Sequence, residues 1–379
     1  LKKRFLFITH ETSRTGAPMV MLLFIKWLQD NKPEVLVDVL ALKGGSLEAD
    51  FQANCNTYYN YALSIKKEGM PFAKRILKKL GVYTPLNKKE VFISNVSSIG
   101  YDIIYANTII SIPMSIDIKY GSPKSKIIGH IHELEVMIKN MLPNLNCFLP
   151  DIEMVIVPAK LVKANLLKNW KIDESQIKVV YECAFKDCSV SKIEKKKETH
   201  SFIVGASGTV DWRKGYDLFV LVARYIKAQQ PSAVIVFKWV GRLSKQVANI
   251  IDEDLNKMGL SDRVTFVGEV ENTEDYFNDF DVFLMPSRED PFPLVCIEVG
   301  LLGKPIISFD QAVGTNEILK DGGGFIVPYL DVVAMAESVL TYYNNREILE
   351  RHGTYNKVAF TKFTPEEICP QLYDIIKSI

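Results

Sequence analysis

Short apolar runs alternate with helix-length stretches along this chain, and the alternation starts over past the middle. Apolar runs at residues 5–9, 35–41, 102–105, 126–131, 154–157 and 179–180 read as a first series of strands. Amphipathic stretches at 18–29 and 159–169 read as helices between them. A polar tract at 185–200 interrupts the pattern, with Lys195, Lys196 and Lys197 in it. Runs at 202–204, 233–239, 264–267, 282–285 and 305–308 then begin a second series. Strand–helix alternation of this kind builds parallel sheets covered by helices on both faces. A chain of 379 residues is also long for one domain. The expected fold class is therefore α/β, with two Rossmann-like domains facing a cleft.

Composition narrows the function classes. Lys and Arg total 46 against 45 Asp and Glu, so no global charge draws the chain to nucleic acid. Cys55, Cys147, Cys183, Cys188, Cys296 and Cys369 show no paired spacing, which suits a reducing compartment better than a disulfide scaffold. No apolar run is long enough to cross a membrane and no signal peptide precedes the first strand, so a cytoplasmic protein is expected. Residues 65–90 carry eight Lys and Arg among Met70, Phe72, Ile76, Leu77 and Leu80. Two readings stand: a solvated helix packing inward, or peripheral contact with an anionic membrane. Neither the dinucleotide glycine fingerprint nor a phosphate-binding Walker loop occurs, which argues against simple dehydrogenases and P-loop NTPases.

The chemistry concentrates at residues 286–300, Pro-Ser-Arg-Glu-Asp-Pro-Phe-Pro-Leu-Val-Cys-Ile-Glu-Val-Gly. The unit is strand, acidic loop, helix, which places carboxylates at the C-terminal edge of a parallel strand, where open α/β sheets bind ligands. Carboxylates suit vicinal hydroxyls and a helix start suits phosphate, so a nucleotide sugar fits. Glu289 alone reads equally well as a favourable charge near a helix start. Glu298 interrupts an apolar helix face, where a buried unpaired carboxylate would be costly, and so is expected to meet a ligand.

This segment resembles the retaining glycosyltransferases of family 4 (group 1), which have the GT-B fold. Asp290 takes the place of the family's first acid, Pro291-Phe292-Pro293 replaces its short loop, and Glu298 takes the second acidic place eight residues on. The resemblance implies that Asp290, or the adjacent Glu289, holds the donor sugar and Glu298 the ribose. It places Phe292, Pro293 and Leu294 beside the donor. Lys214 and Gly215 match a family Lys-Gly pair whose Lys contacts the diphosphate. Thr209 stands where the family has an Arg, with Arg213 on the other side as a substitute cation. In the first half, Gly16 and Ala17 match a glycine loop that closes over the donor phosphates. His132, with His130 as the alternative, matches a histidine near the anomeric carbon. Glu317 resembles a glutamate lining the donor cleft.

The resemblance implies sugar transfer from a nucleotide diphosphate sugar to a carbohydrate or lipid-linked hydroxyl acceptor, in surface polysaccharide or glycolipid assembly. It implies neither metal nor cofactor. A nucleotide-sugar 2-epimerase of the same fold and a non-catalytic sugar-nucleotide-binding protein are the alternatives. The expected domains span 1–183, with 365–379 packing back on it, and 184–364 for the donor.

Overall fold

The computed structural model describes residues 2–66, 87–184 and 201–379. Most of the basic stretch at 65–90 (residues 67–86) and the polar tract at 185–200 lie outside the described residues. The chain divides into two compact units. One comprises Leu1–Val157, Asn165–Val180 and Cys369–Ile379; the other comprises Pro158–Ala164 and Tyr181–Ile368.

The first unit holds a seven-stranded sheet, β1 (Lys3–Thr9), β2 (Val35–Ala41), β3 (Thr57–Asn60), β4 (Ile103–Asn107), β5 (Lys126–His130), β6 (Met154–Val157) and β7 (Ile177–Val179). The order is β3-β2-β1-β4-β5-β6-β7, and every pairing is parallel. A parallel sheet covered on both faces must be apolar on both, which explains why Phe5 to Ile8 are all buried. Asp38 is the exception within β2. Its carboxylate accepts from Arg4 Nε at 3.0 Å and Tyr101 Oη at 2.9 Å, which offsets the cost of burying it. The C-terminal helix, Pro365–Ser378, brings Tyr373 against Trp27, with ring centroids 6.0 Å apart.

The second unit holds a six-stranded sheet, β8 (Phe202–Ser207), β9 (Ile235–Val240), β10 (Val264–Gly268), β11 (Val282–Met285), β12 (Ile306–Phe309) and β13 (Gly324–Val327). Its order is β10-β9-β8-β11-β12-β13, again wholly parallel. Each sheet reverses its strand order once, between β1 and β4 in the first and between β8 and β11 in the second. Loops leaving two neighbouring strands on opposite faces part there, and the gap they leave is where such sheets take ligands.

Two strands escape the sequence reading. β3, Thr-Tyr-Tyr-Asn, is a half-exposed edge strand without apolar alternation. β13 opens on the last of three consecutive glycines, a signal that ordinarily marks a loop. Gly324 is required there because a Cβ would collide with the Ile306 carbonyl of the neighbouring strand.

Candidate active site

In the second unit two loops meet at the switch point, 208–215 after β8 and 286–293 after β11. Gly215 permits the meeting. Its φ of 74° is left-handed, and a side chain there would collide with the Pro286 carbonyl. The Arg288 N–H then donates to the Arg213 carbonyl at 2.8 Å. Gly208, at φ 137°, leaves room for the aliphatic stem of Lys214, and its carbonyl accepts from the buried Trp239 indole at 2.8 Å. Asp211 Oδ1 accepts the Lys214 N–H at 2.9 Å and fixes the turn that presents it.

These constraints deliver Lys214 Nζ to 2.6 Å from Asp290 Oδ2. Ser287 Oγ donates to the same oxygen at 3.0 Å. Arg213 lies 3.7 Å from Oδ1 and donates to the Glu289 carbonyl at 2.9 Å. Asp290 is itself pinned, with its N–H on the Ala312 carbonyl at 2.7 Å and its carbonyl accepting from Gly314 at 3.0 Å. Burial alone would raise this carboxyl. Lys214, then Arg213, then the hydrogen bonds from Lys214 and Ser287 outweigh burial and hold it below the ordinary carboxylate range. Two cations thus share one buried carboxylate at the C-terminal edge of the sheet.

Glu298 lies on the helix Leu294–Leu301, between buried Ile297 and Val299. The sequence reading expected a buried carboxylate. It is instead exposed by surface area and makes no side-chain hydrogen bond or ion pair among the described residues. Surrounding protein still removes part of its solvation, which raises its carboxyl. The exposure decides accessibility, and the crowding explains the shift. Two residues back, on the opposite face of the helix, the Cys296 thiol is fully buried and pushed up to about 12, chiefly by burial. Asp290 raises that thiol further, Lys214 opposes it, and Glu298, two residues on, adds a small raising influence.

Other expected contacts of the donor have structural employment. Phe292 is buried and packs against Tyr181 at 5.2 Å and Phe363 at 5.4 Å, so its ring fills the core. Pro293 precedes the first turn of the 294–301 helix and Leu294 opens it. Glu317 accepts the Leu161 N–H at 3.1 Å and the Tyr181 hydroxyl at 3.0 Å, so both its oxygens are engaged. Thr209 is half-buried in the 208–215 loop and makes no side-chain bond among the described residues. Glu289, half-buried, is more accessible than Asp290. The sequence did not single out Gly208, Asp211, Ser287 or Trp239; only the Lys214-Gly215 pair and the acidic 286–300 segment pointed to their loops.

In the first unit, Gly16 and Ala17 open the helix Gly16–Asn31, and a Cβ on Gly16 would meet nothing within 4 Å. His132 Nε2 lies 2.8 Å from Asn107 Oδ1, and His130 Nδ1 lies 2.7 Å from Tyr105 Oη. The two imidazoles stack with centroids 3.9 Å apart. His130 is buried, and burial, with His132 adding to it, drives its basicity well below the ordinary histidine range. Beside this cluster a pocket of about 330 Å³ is lined by His10, Lys43, Tyr61, Lys89, Met114 and Asp117 among others. Lys89 and Asp117 pair across it at 2.8 Å.

Two parallel sheets of this order, each with a switch-point site, define the α/β class to which sugar-nucleotide transferases of GT-B fold belong. Residues 201–345 match the family described as Glycosyl transferases group 1. The chain is 28% identical over 226 residues to an uncharacterized 41.2 kDa protein in the cps region of Klebsiella pneumoniae, covering 55% of this chain and 56% of that one. It is 31% identical over 149 residues to the lipopolysaccharide core biosynthesis mannosyltransferase LpsB of Rhizobium meliloti, covering 38% and 42%. The chain thus spans about half the length of the curated relatives it matches. In fold it is similar to Anabaena Alr3699/HepE, solved in complex with UDP and glucose, with a TM-score of 0.80 and 16% identity over the whole of both chains.

Proposed function

We propose that this chain transfers a sugar from a nucleotide diphosphate sugar to a hydroxyl acceptor, with retention at the anomeric carbon. The observation that carries this reading is the Lys214–Asp290–Arg213 cluster at the switch point of the second sheet, with accessible Glu298 on the helix that follows the Asp290 loop. Paired cations at a strand edge suit a diphosphate, and an accessible carboxylate suits the paired hydroxyls of a ribose. The names of the relatives, a cps-region protein and a lipopolysaccharide core mannosyltransferase, favour surface polysaccharide assembly as the setting.

In this reading the bond from the anomeric carbon to the diphosphate oxygen breaks as the acceptor oxygen forms its own bond to that carbon. The acceptor proton passes to the departing phosphate oxygen. Negative charge grows on the diphosphate, and Lys214 and Arg213 stabilise it more in the transition state than in the ground state. The chain's own cations meet that charge, with no metal or cofactor. Glu289 supplies hydroxyl contacts to the donor sugar, while Asp290, held below Lys214, orients the cations. His132 serves the reacting carbon, and the pocket at Tyr61 and Lys89 receives the acceptor.

The test is a thermal-shift screen of UDP, GDP, ADP and dTDP sugars, followed by transfer assays with the stabilising donor. Stabilisation by a sugar nucleotide and by the matching free diphosphate supports the reading, since binding to the native state raises Tm. Isomerisation of the donor without any acceptor would replace it with the epimerase. Absence of any shift by sugar nucleotides would remove it.

A further inference from the structure

We infer that Asn107 is the positioning residue of the site in the first unit, holding a hydrogen on His132 Nε2 and fixing the orientation of that ring. The inference deepens the transferase reading, since it takes His132 as the histidine that serves the reaction.

Four atoms between Ala17 and His132 have hydrogen-bonding roles that chemistry leaves no freedom to exchange. The carbonyl of Ala17 can only accept, so the Asn107 group 3.0 Å from it is the amide Nδ2, a donor. Asn107 Oδ1 therefore faces the other way, toward His132 Nε2 at 2.8 Å. An amide oxygen can only accept, so Nε2 carries a hydrogen. One backbone carbonyl in the first turn of the helix Gly16–Asn31 thus decides the protonation of an imidazole two strands away. Nε2 is thereby closed to proton acceptance.

Asn107 itself is fully buried at the end of β4, beside the switch point. The residue after it shows what the placement costs. Thr108 has φ 81° and ψ 156°, a region essentially reserved for glycine, yet it is β-branched. Its N–H donates to the His130 carbonyl at 2.8 Å and its Oγ1 lies 3.4 Å from His10 Nδ1. The strained residue joins the ends of β1, β4 and β5 and keeps Asn107 aimed between Ala17 and His132. Strain held in place by such surroundings is common where geometry serves a reaction.

Selective ¹⁵N-histidine labelling of the full chain tests this, with the signal of His132 among the five histidines assigned by His132→Gln. The wild-type protein is expected to show a slowly exchanging hydrogen on His132 Nε2. Asn107→Ala is expected to lose it, and Asn107→Asp, which keeps the acceptor, to retain it. Turnover should follow, with kcat of Asn107→Ala down roughly tenfold, donor KM within about threefold, and most of kcat restored in Asn107→Asp. A wild-type Nε2 without hydrogen, or unchanged His132 signals in Asn107→Ala, overturns the assignment. The expected spectra in a protein that transfers no sugar from any donor would sink the transferase reading and leave the assignment of the hydrogen standing.

Discussion

Lys214 Nζ and Asp290 Oδ2, 76 residues apart in sequence, lie 2.6 Å from each other at the edge of the second sheet. The pair exists because Gly215 lets one loop pass against the Pro286 carbonyl of the other. It changes the role of Asp290. A carboxylate only 4% exposed, with Lys214 and Ser287 on one oxygen and Arg213 near the other, orients cations better than it holds a sugar.

Removing one partner of this pair should cost more than removing both. Lys214→Ala leaves a buried carboxylate with only Arg213 and Ser287, and is expected to lose about 3–5 kcal/mol of stability. Adding Asp290→Asn should recover part of that loss, because the stranded charge is gone. Urea denaturation of the two single variants and the double variant measures the coupling; simple additivity would contradict the pairing. Donor binding should be weakened in both proteins that lack Lys214.

Glu298 is expected to behave in the opposite way. As an exposed carboxylate it can be changed to Gln with stability held within about 0.5 kcal/mol. Donor KM should nevertheless rise roughly tenfold, equivalent to about 1.4 kcal/mol of lost binding. Steady-state kinetics beside a melting curve decides this, and an unchanged KM would take Glu298 out of the site.

Glu317 should matter for stability and little for the donor. Glu317→Ala leaves the Leu161 N–H and the Tyr181 hydroxyl without their partner, a loss of about 1–3 kcal/mol. Donor KM should stay near the wild-type value. A large KM effect with an unchanged Tm would restore Glu317 to the donor contacts.

Acid should destabilise the chain in two steps. His130 is held neutral in the fold, with a folded pKa below its unfolded value of about 6.5, so the unfolded chain binds more protons below that pH. Stability is lost as pH falls from about 6.5 toward the folded pKa. His10 and His352, also lowered chiefly by burial, act with the same sign. Asp290 has a depressed folded pKa, so its contribution is present above about 4 and disappears as pH falls through the folded value. Tm measured between about pH 7.5 and 5.5 should fall, and His130→Gln should flatten that slope. A wild-type Tm independent of pH across this window would contradict the burial of neutral His130.

Much of the architecture was legible because parallel strands buried on both faces must be continuous apolar runs, and Phe5 to Ile8 and Val282 to Met285 are such runs, with Val35 to Ala41 broken only by Asp38. β3 and β13 were illegible for the converse reason, being an edge strand of tyrosines and a strand entered through glycines. Lys214, Arg213, Asp290 and Glu298 could be singled out as types at a spacing. Their duties could not, since exposure and partners belong to the packed chain.

Pattern and spacing alone therefore determined two parallel α/β sheets and the acidic strand–loop–helix that marks one of them. Only the folded chain decided that Asp290 is buried under Lys214, that Glu298 reaches solvent from an apolar helix, and that a carbonyl at residue 17 governs a histidine at 132. The physical reason is common to all three. Burial, charge pairing and proton placement are set by atoms far apart in sequence, which become neighbours only where the strand order of each sheet reverses.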